Sequence, residues 1–215
     1  MAGMAILLTR WGQSCVRLEG PDGTLVIDPG VYGRSAEALS GADAVLLTHE
    51  HPDHVDAAVV AASGLPVWGP APALATVAAA GAAEDRLHAV HSGDDMTVAG
   101  MQVQVLGEWH AVIHPDVPQV PNVGYLVAGA VLHPGDAFVD VPPGTSVQVA
   151  LTPISGPWFL LADALDWVRA IRPARVVPIH DVMLSEVGLR SARDWLSRLA
   201  PAPVVTPGPG EAVEV

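Results

Sequence analysis

The sequence has no lysine and only one cysteine, Cys15, and each shortage removes a class of function. Ten arginines are its only permanent cations, and with twenty-three carboxylates they leave a formal net charge of −13. Such an acidic surface repels a phosphate backbone, so nucleic acid is not an expected partner. A lone cysteine cannot close an intrachain disulfide and fits a reducing compartment, which points to a cytoplasmic protein with Cys15 packed in a strand. No apolar run approaches the ~20 residues of a membrane span, so no membrane association is expected. Met1 to Arg10 lacks a basic n-region and a small-residue cleavage site, and therefore reads as a first strand, not a signal peptide. Charged residues make up only 15% of the chain and hydrophobic ones 50%, enough for a core covered on more than one side. With no long polar or Gly/Ser linker, residues 1–215 are expected to form one domain.

Strands are expected at Ala5–Thr9, Ser14–Leu18 and Thr24–Asp28, the last two joined across the tight turn Gly20-Pro21-Asp22-Gly23. A short helix at Ser35–Leu39 precedes the buried strand Ala44–Thr48. A helix at Asp53–Ala62, a strand at Pro66–Trp68 and a helix at Pro72–Ala80 continue a β-α-β-α order. Strands follow at Arg86–Val90, Met96–Ala99, Gln102–Leu106, Val123–Val127, Val131–His133 and Val147–Pro153, with a Pro-rich loop between Gly107 and Pro121. The clearest amphipathic helix spans Trp158–Ile171, with Leu161, Leu165 and Val168 on one face. A buried strand, Arg175–Ile179, ends in His180, a last helix runs from Ser185 toward Leu199, and Val204–Val215 is a candidate edge strand.

The most informative stretch is His49-Glu50-His51-Pro52-Asp53-His54, three imidazoles and a carboxylate directly after an apolar strand. Alternate residues at a strand end project to one side, so His49 and His51 can grip one cation while Asp53 and His54 turn toward another. Pro52 suits the first position of a following helix. Imidazole and carboxylate ligands without thiolate fit zinc, manganese, iron or nickel and argue against a structural zinc knuckle. His110, Asp136 and His180 each close another apolar strand. Grouped with the cluster, they suggest one site of His49, His51 and His110 and a second of Asp53, His54 and His180, with Asp136 bridging. Two cations ~3.5–4 Å apart can share a hydroxide that is nucleophilic at neutral pH.

The pattern H-x-H-x-D-H, then His110, Gly135-Asp136 and Pro178-Ile179-His180, resembles the metallo-β-lactamase fold superfamily. Val123-Gly124-Tyr125, His133-Pro134-Gly135-Asp136 and Pro153-Ile154-Ser155-Gly156 are similar to its metal-dependent hydrolase branch, which includes L-ascorbate-6-phosphate lactonase. The resemblance implies a four-layer αββα sandwich of two mixed sheets with two divalent metal ions at their edge, zinc first. It implies metal-bound hydroxide acting on a small-molecule ester, lactone, amide or phosphoester. Asp28 matches in kind the first-motif Asp that orients cluster ligands from behind. Asp53 is expected to orient the nucleophile and accept its proton, and His114 either to contact substrate or donate a proton or to be a solvated loop residue. No arginine pair suited to a sugar phosphate is evident. His133 reads as strand packing, His88 and His91 as surface residues, and Asp181 as a cap. Trp109 and Trp158 read as core packing first and as aromatic pocket walls second. Two other readings share the ligand set, a metal-binding protein without turnover and an iron-dependent redox enzyme. The sequence leaves a homo-oligomer open.

Overall fold

The computed structural model describes residues 6–215, so the expected strand start at Ala5 lies outside it. Two mixed sheets pack face to face. The first comprises β1 (Leu7–Gly12), β2 (Cys15–Gly20), β3 (Gly23–Ile27), β4 (Ala44–Leu46), β5 (Val67–Gly69), β6 (Leu87–Ala89) and the C-terminal β13 (Ala212–Glu214). Its spatial order is β13-β1-β2-β3-β4-β5-β6. The second comprises β7 (Asp95–Val98), β8 (Met101–Leu106), β9 (Gly124–Val127), β10 (Val131–His133), β11 (Val149–Pro153) and β12 (Arg175–Ile179). Here the order is β12-β11-β10-β9-β8-β7.

Helices cover both outer faces: α1 (Ser35–Leu39), α2 (Ala57–Ser63) and α3 (Ala71–Ala79) on the first sheet, α4 (Leu161–Ile171) and α5 (Glu186–Leu199) on the second. The αββα layering expected from the sequence is thus observed. Between the sheets, Leu8, Leu18, Leu25 and Ile27 meet Val105, Tyr125, Val127 and Leu151 in one buried cluster. Val45, Leu47, Val60 and Val77 fill the first helical interface, and Leu132, Val168, Val176 and Leu196 the second. β4 is buried throughout because it has neighbours on both edges and layers on both faces.

At one end the sheets are tied by hydrogen bonds as well as packing. The Tyr125 hydroxyl donates to Leu47 O (2.7 Å), Val123 N–H to Thr48 O (2.9 Å), His133 Nε2–H to Ser14 O (2.9 Å) and His180 N–H to Gln13 O (3.0 Å). These bonds join the loops that carry the cluster, His133 and His180, so the ends of β4, β10 and β12 converge. The expected edge strand at the tail is present, with β13 antiparallel to β1.

Two helix starts differ from expectation. Helix α2 begins at Ala57, not Asp53, because Asp56 is its cap and accepts from Val59 N–H at 3.2 Å. Pro52 through Asp56 instead form a turn closed by His54 N–H and Val55 N–H on His51 O. Helix α4 begins at Leu161, not Trp158, and the Asp163 carboxylate accepts from Leu160 N–H at 2.7 Å.

The turn after β3 lies hard against the ligand-bearing turn. A Cβ on Gly30 would stand 1.9 Å from Asp53 O and 2.6 Å from His54 N, so only glycine fits. Gly30→Ala is expected to lower stability by about 1–3 kcal/mol, an overpacking cost, read from the urea midpoint. An unchanged midpoint would show that the two turns do not need this approach.

Candidate metal centre

The seven side chains singled out from the sequence come together as two adjoining groups. One ligand atom each from His49, His51 and His110 lie within 4.8 Å of one another, and the same holds for Asp53, His54, Asp136 and His180. Asp136 stands between the groups. Its Oδ2 is 3.4 Å from His110 Nε2 and 3.2 Å from His180 Nε2, and its Oδ1 is 3.1 Å from His54 Nε2. Asp53 Oδ2 is 3.1 Å from His180 Nε2.

The neighbours of these rings decide which nitrogen faces inward. His49 Nδ1 is 3.0 Å from Thr48 Oγ1, His54 Nδ1 2.6 Å from Asp28 Oδ2, His110 Nδ1 2.6 Å from Ala111 O and His180 Nδ1 2.6 Å from Ser155 O. An Nδ1–H donated to such an oxygen leaves Nε2 with a free lone pair, the arrangement that orients imidazole ligands. His51 presents Nδ1, 3.1 Å from His49 Nε2. Among the described residues, His54 Nε2, His110 Nε2, His180 Nε2 and Asp136 Oδ1 are buried without a hydrogen-bond partner. Buried polar groups are almost always satisfied, so four orphaned lone-pair atoms facing one space fit divalent cations of the borderline kind that take nitrogen and oxygen.

Behind the ligands lies a set of bracing groups. Asp28, fully buried with φ +51°, accepts Thr48 N–H at 2.8 Å and the Thr48 hydroxyl at 2.7 Å besides facing His54. This fits the orienting role expected of Asp28. Gln13 and Asn122 escaped the sequence reading. Gln13 Nε2–H donates to Asp53 Oδ2 (2.9 Å), while its Oε1 accepts Val182 N–H (3.1 Å). Asn122 Oδ1 accepts Asp136 N–H at 2.9 Å, and its Nδ2–H donates to Pro134 O at 3.1 Å. A buried amide beside a Gly or Pro turn was the only available signal, and it does not name its partner. Gln13, Asp28 and His180 all have positive φ (+47°, +51° and +57°), so backbone strain collects at this end of the fold.

Several other expectations are corrected by the geometry. His114 is exposed on the loop 107–123, outside the two ligand groups, and its Nδ1 accepts Asp116 N–H at 3.1 Å. Trp158 does more than pack, since its Nε1–H donates to Asp136 Oδ2 at 3.2 Å. Trp109 is 49% exposed and is no core residue. Asp181 is no cap but is buried in ion pairs with Arg10 and Arg193. His88 is half-buried and stacks on Trp68, whereas His91 is exposed. His133 is fully buried at the end of β10 and links the sheets through Ser14. A cavity of about 420 Å³ against Trp109 and Pro70 includes none of the seven clustered side chains.

The electrostatics follow from crowding. Burial opposes charge on Asp136, but the His54, His110 and His180 imidazoles outweigh it and hold its carboxyl well below the usual range. Burial likewise works against Asp53, and the His180 ring facing its carboxylate, then His54, bring its pKa down to about 2. His49 is driven well below the usual histidine range by burial and then by His54. On His180, burial is overcome by the facing Asp136 and Asp53 carboxylates, which push its pKa up to about 9.

The Beta-lactamase superfamily domain profile matches residues 7–180. The chain belongs to the metallo-β-lactamase fold superfamily. Within this superfamily, protein Rv0786c of Mycobacterium tuberculosis is 40% identical over 83% of this chain and 85% of its own length. The UPF0173 metal-dependent hydrolase Rsph17025_2229 of Cereibacter sphaeroides is 30% identical over 57% of this chain and 73% of its own. Igni18, a metallo hydrolase of the archaeon Ignicoccus hospitalis, shares the fold with a TM-score of 0.74 at 21% identity, covering 98% of each chain.

A cation held by His180 would displace the proton on its Nε2, because a ligating imidazole is neutral. Zinc added to metal-free protein at pH 7 in weak buffer is expected to release at least about one proton per chain. The stability that protonated His180 contributes without metal is fully present below pH 6.5, its ordinary pKa, and is lost as pH rises through about 9. Titration by pH-stat and thermal melts across that range check both. No proton release would remove His180 from the ligands.

Proposed function

We propose that the protein is a dinuclear metal-dependent hydrolase acting on a small-molecule ester, lactone, amide or phosphoester through one domain. The observation that carries this reading is Asp136, whose two carboxylate oxygens face His54, His110 and His180 from between the two ligand groups. In this reading His49, His51 and His110 hold one cation, Asp53, His54 and His180 the other, and Asp136 both. Zinc suits the donor set best, and manganese, iron or nickel are compatible with it. Bound cations supply Lewis acidity, lowering the pKa of water into the neutral range and stabilising negative charge on the substrate.

The protein's own groups supply the rest. Five of the seven side chains are buried, while His51 and Asp53 stay partly open, so substrate enters over these two. Asp53 is ionised, anchored by Gln13 and His180, and open on one side, which suits it to orient a water by accepting a hydrogen bond from it. Trp158 donates to Asp136 and covers it, keeping that carboxylate fixed and dry. The named metal-dependent hydrolase among the relatives supports the reaction class. The resemblance to a lactonase makes lactones and esters the first compounds to test.

Zinc- and manganese-loaded protein should hydrolyse members of a panel of lactones, esters, amides and phosphoesters and lose that activity on chelation. Folded, active protein holding no metal would refute the reading. Asp136→Ala should reduce turnover by at least about tenfold to a hundredfold and lose metal while remaining folded by circular dichroism. Unchanged rate and metal content would take Asp136 out of the site.

A further inference from the structure

Nine of the thirteen large apolar side chains exposed among the described residues lie on four loops that carry or brace the candidate ligands. Tyr32 is on the loop 28–34, Val112, Ile113 and Val117 on the loop 107–123, Leu160 on the loop 154–160 and Met183 on the loop 180–185. Each loop has a direct tie to the site. The first holds Asp28, the second His110, the third Ser155 and Trp158, and the fourth follows His180. Val31 N–H donates to Pro52 O at 2.9 Å, which binds the first loop to the turn bearing Asp53. A small cavity of about 30 Å³ lies where Val112, Ile113 and Val117 meet His51 and His110. Val112, Ile113 and Val117 therefore stand beside His51 and His110, and Met183 lies on the loop that follows His180.

Charge at this mouth is one-sided. The four loops contain a single arginine, Arg34, which is paired with Glu37 and lies over the Trp11 ring. Arg10 and Arg193, which reach the last loop, both bind Asp181. Glu108 and Asp116 are exposed on the second loop. A carboxylate or phosphate on the substrate, away from the reacting group, would find no free cation and two exposed carboxylates.

We propose that the substrate is uncharged outside its reacting group and carries a hydrocarbon arm that lies across the rim formed by Val112, Ile113, Val117 and Met183. Calling the occupant a substrate rests on the hydrolase reading, whereas its apolar, neutral character rests on the rim alone. A hydrocarbon arm gains free energy with every methylene that the rim removes from water.

The test is calorimetric binding of neutral N-alkylacetamides, butyl to octyl, to zinc-loaded protein, with alkyl ester kinetics in parallel. Kd should fall about two- to fourfold per added methylene, and Ile113→Ser and Met183→Ser should each flatten that dependence. Leu199→Ser, at an exposed position on α5, should leave it intact. Esters ending in a distal carboxylate should show kcat/KM at least tenfold below neutral esters of equal length. A Kd independent of chain length, equal use of anionic esters, or rim-dependent dimerisation in sedimentation would overturn the proposal. Chain-length-dependent binding without turnover of any ester would uphold the apolar site and remove the hydrolase reading. Turnover without chain-length dependence would do the reverse.

Discussion

The carboxylate of Asp136 is buried among three imidazoles, and an arrangement of that kind survives only if its charge is balanced where it stands. In the protein alone, partial compensation comes from protons on His54 and His180, both pushed up against the opposing effect of burial by their carboxylate neighbours. Buried ring nitrogens of His54, His110 and His180 and the Asp136 Oδ1, all without a hydrogen-bond partner, show that the balance is incomplete. Cations at the centre would complete it, and the surrounding architecture can be understood as support for that compensation.

Support is built from backbone as much as side chains. Each sheet alone could present only some of the seven groups. Bonds from Tyr125, Val123, His133 and His180 to the strand and loop ends of the other sheet hold the two edges in register. Glycine is required at Gly30 and again at Gly135, where a Cβ would stand 2.3 Å from Asn122 Oδ1. Both positions let the chain pass close behind a candidate ligand. Strain at Asp28 and His180 is sustained because each side chain is held by short hydrogen bonds to its neighbours. The apolar rim belongs to the same economy of placement, since loops committed to bracing the site leave their outer side chains free to meet a ligand.

Much of this was legible in the sequence. Short apolar runs between turns marked most strands, and the cluster at His49–His54 together with His110, Asp136 and His180 pointed to a site before any geometry was known. Helix α2 was started too early because Pro52 is a good first residue in general, yet here its turn is shaped by Gly30 and capped later by Asp56. Gln13, Asn122 and Trp158 were missed or underread for one reason. Their importance lies in hydrogen bonds to residues 40, 14 and 22 positions away, and no local pattern encodes such a partner.

Anomalous diffraction at the zinc edge from crystals of metal-loaded protein tests the central claim most directly. The account predicts two peaks about 3.5–4 Å apart. One should be bounded by His49, His51 and His110, the other by Asp53, His54 and His180, with density for Asp136 reaching both. A single peak, or none within bonding reach of His110 and His180, would contradict it.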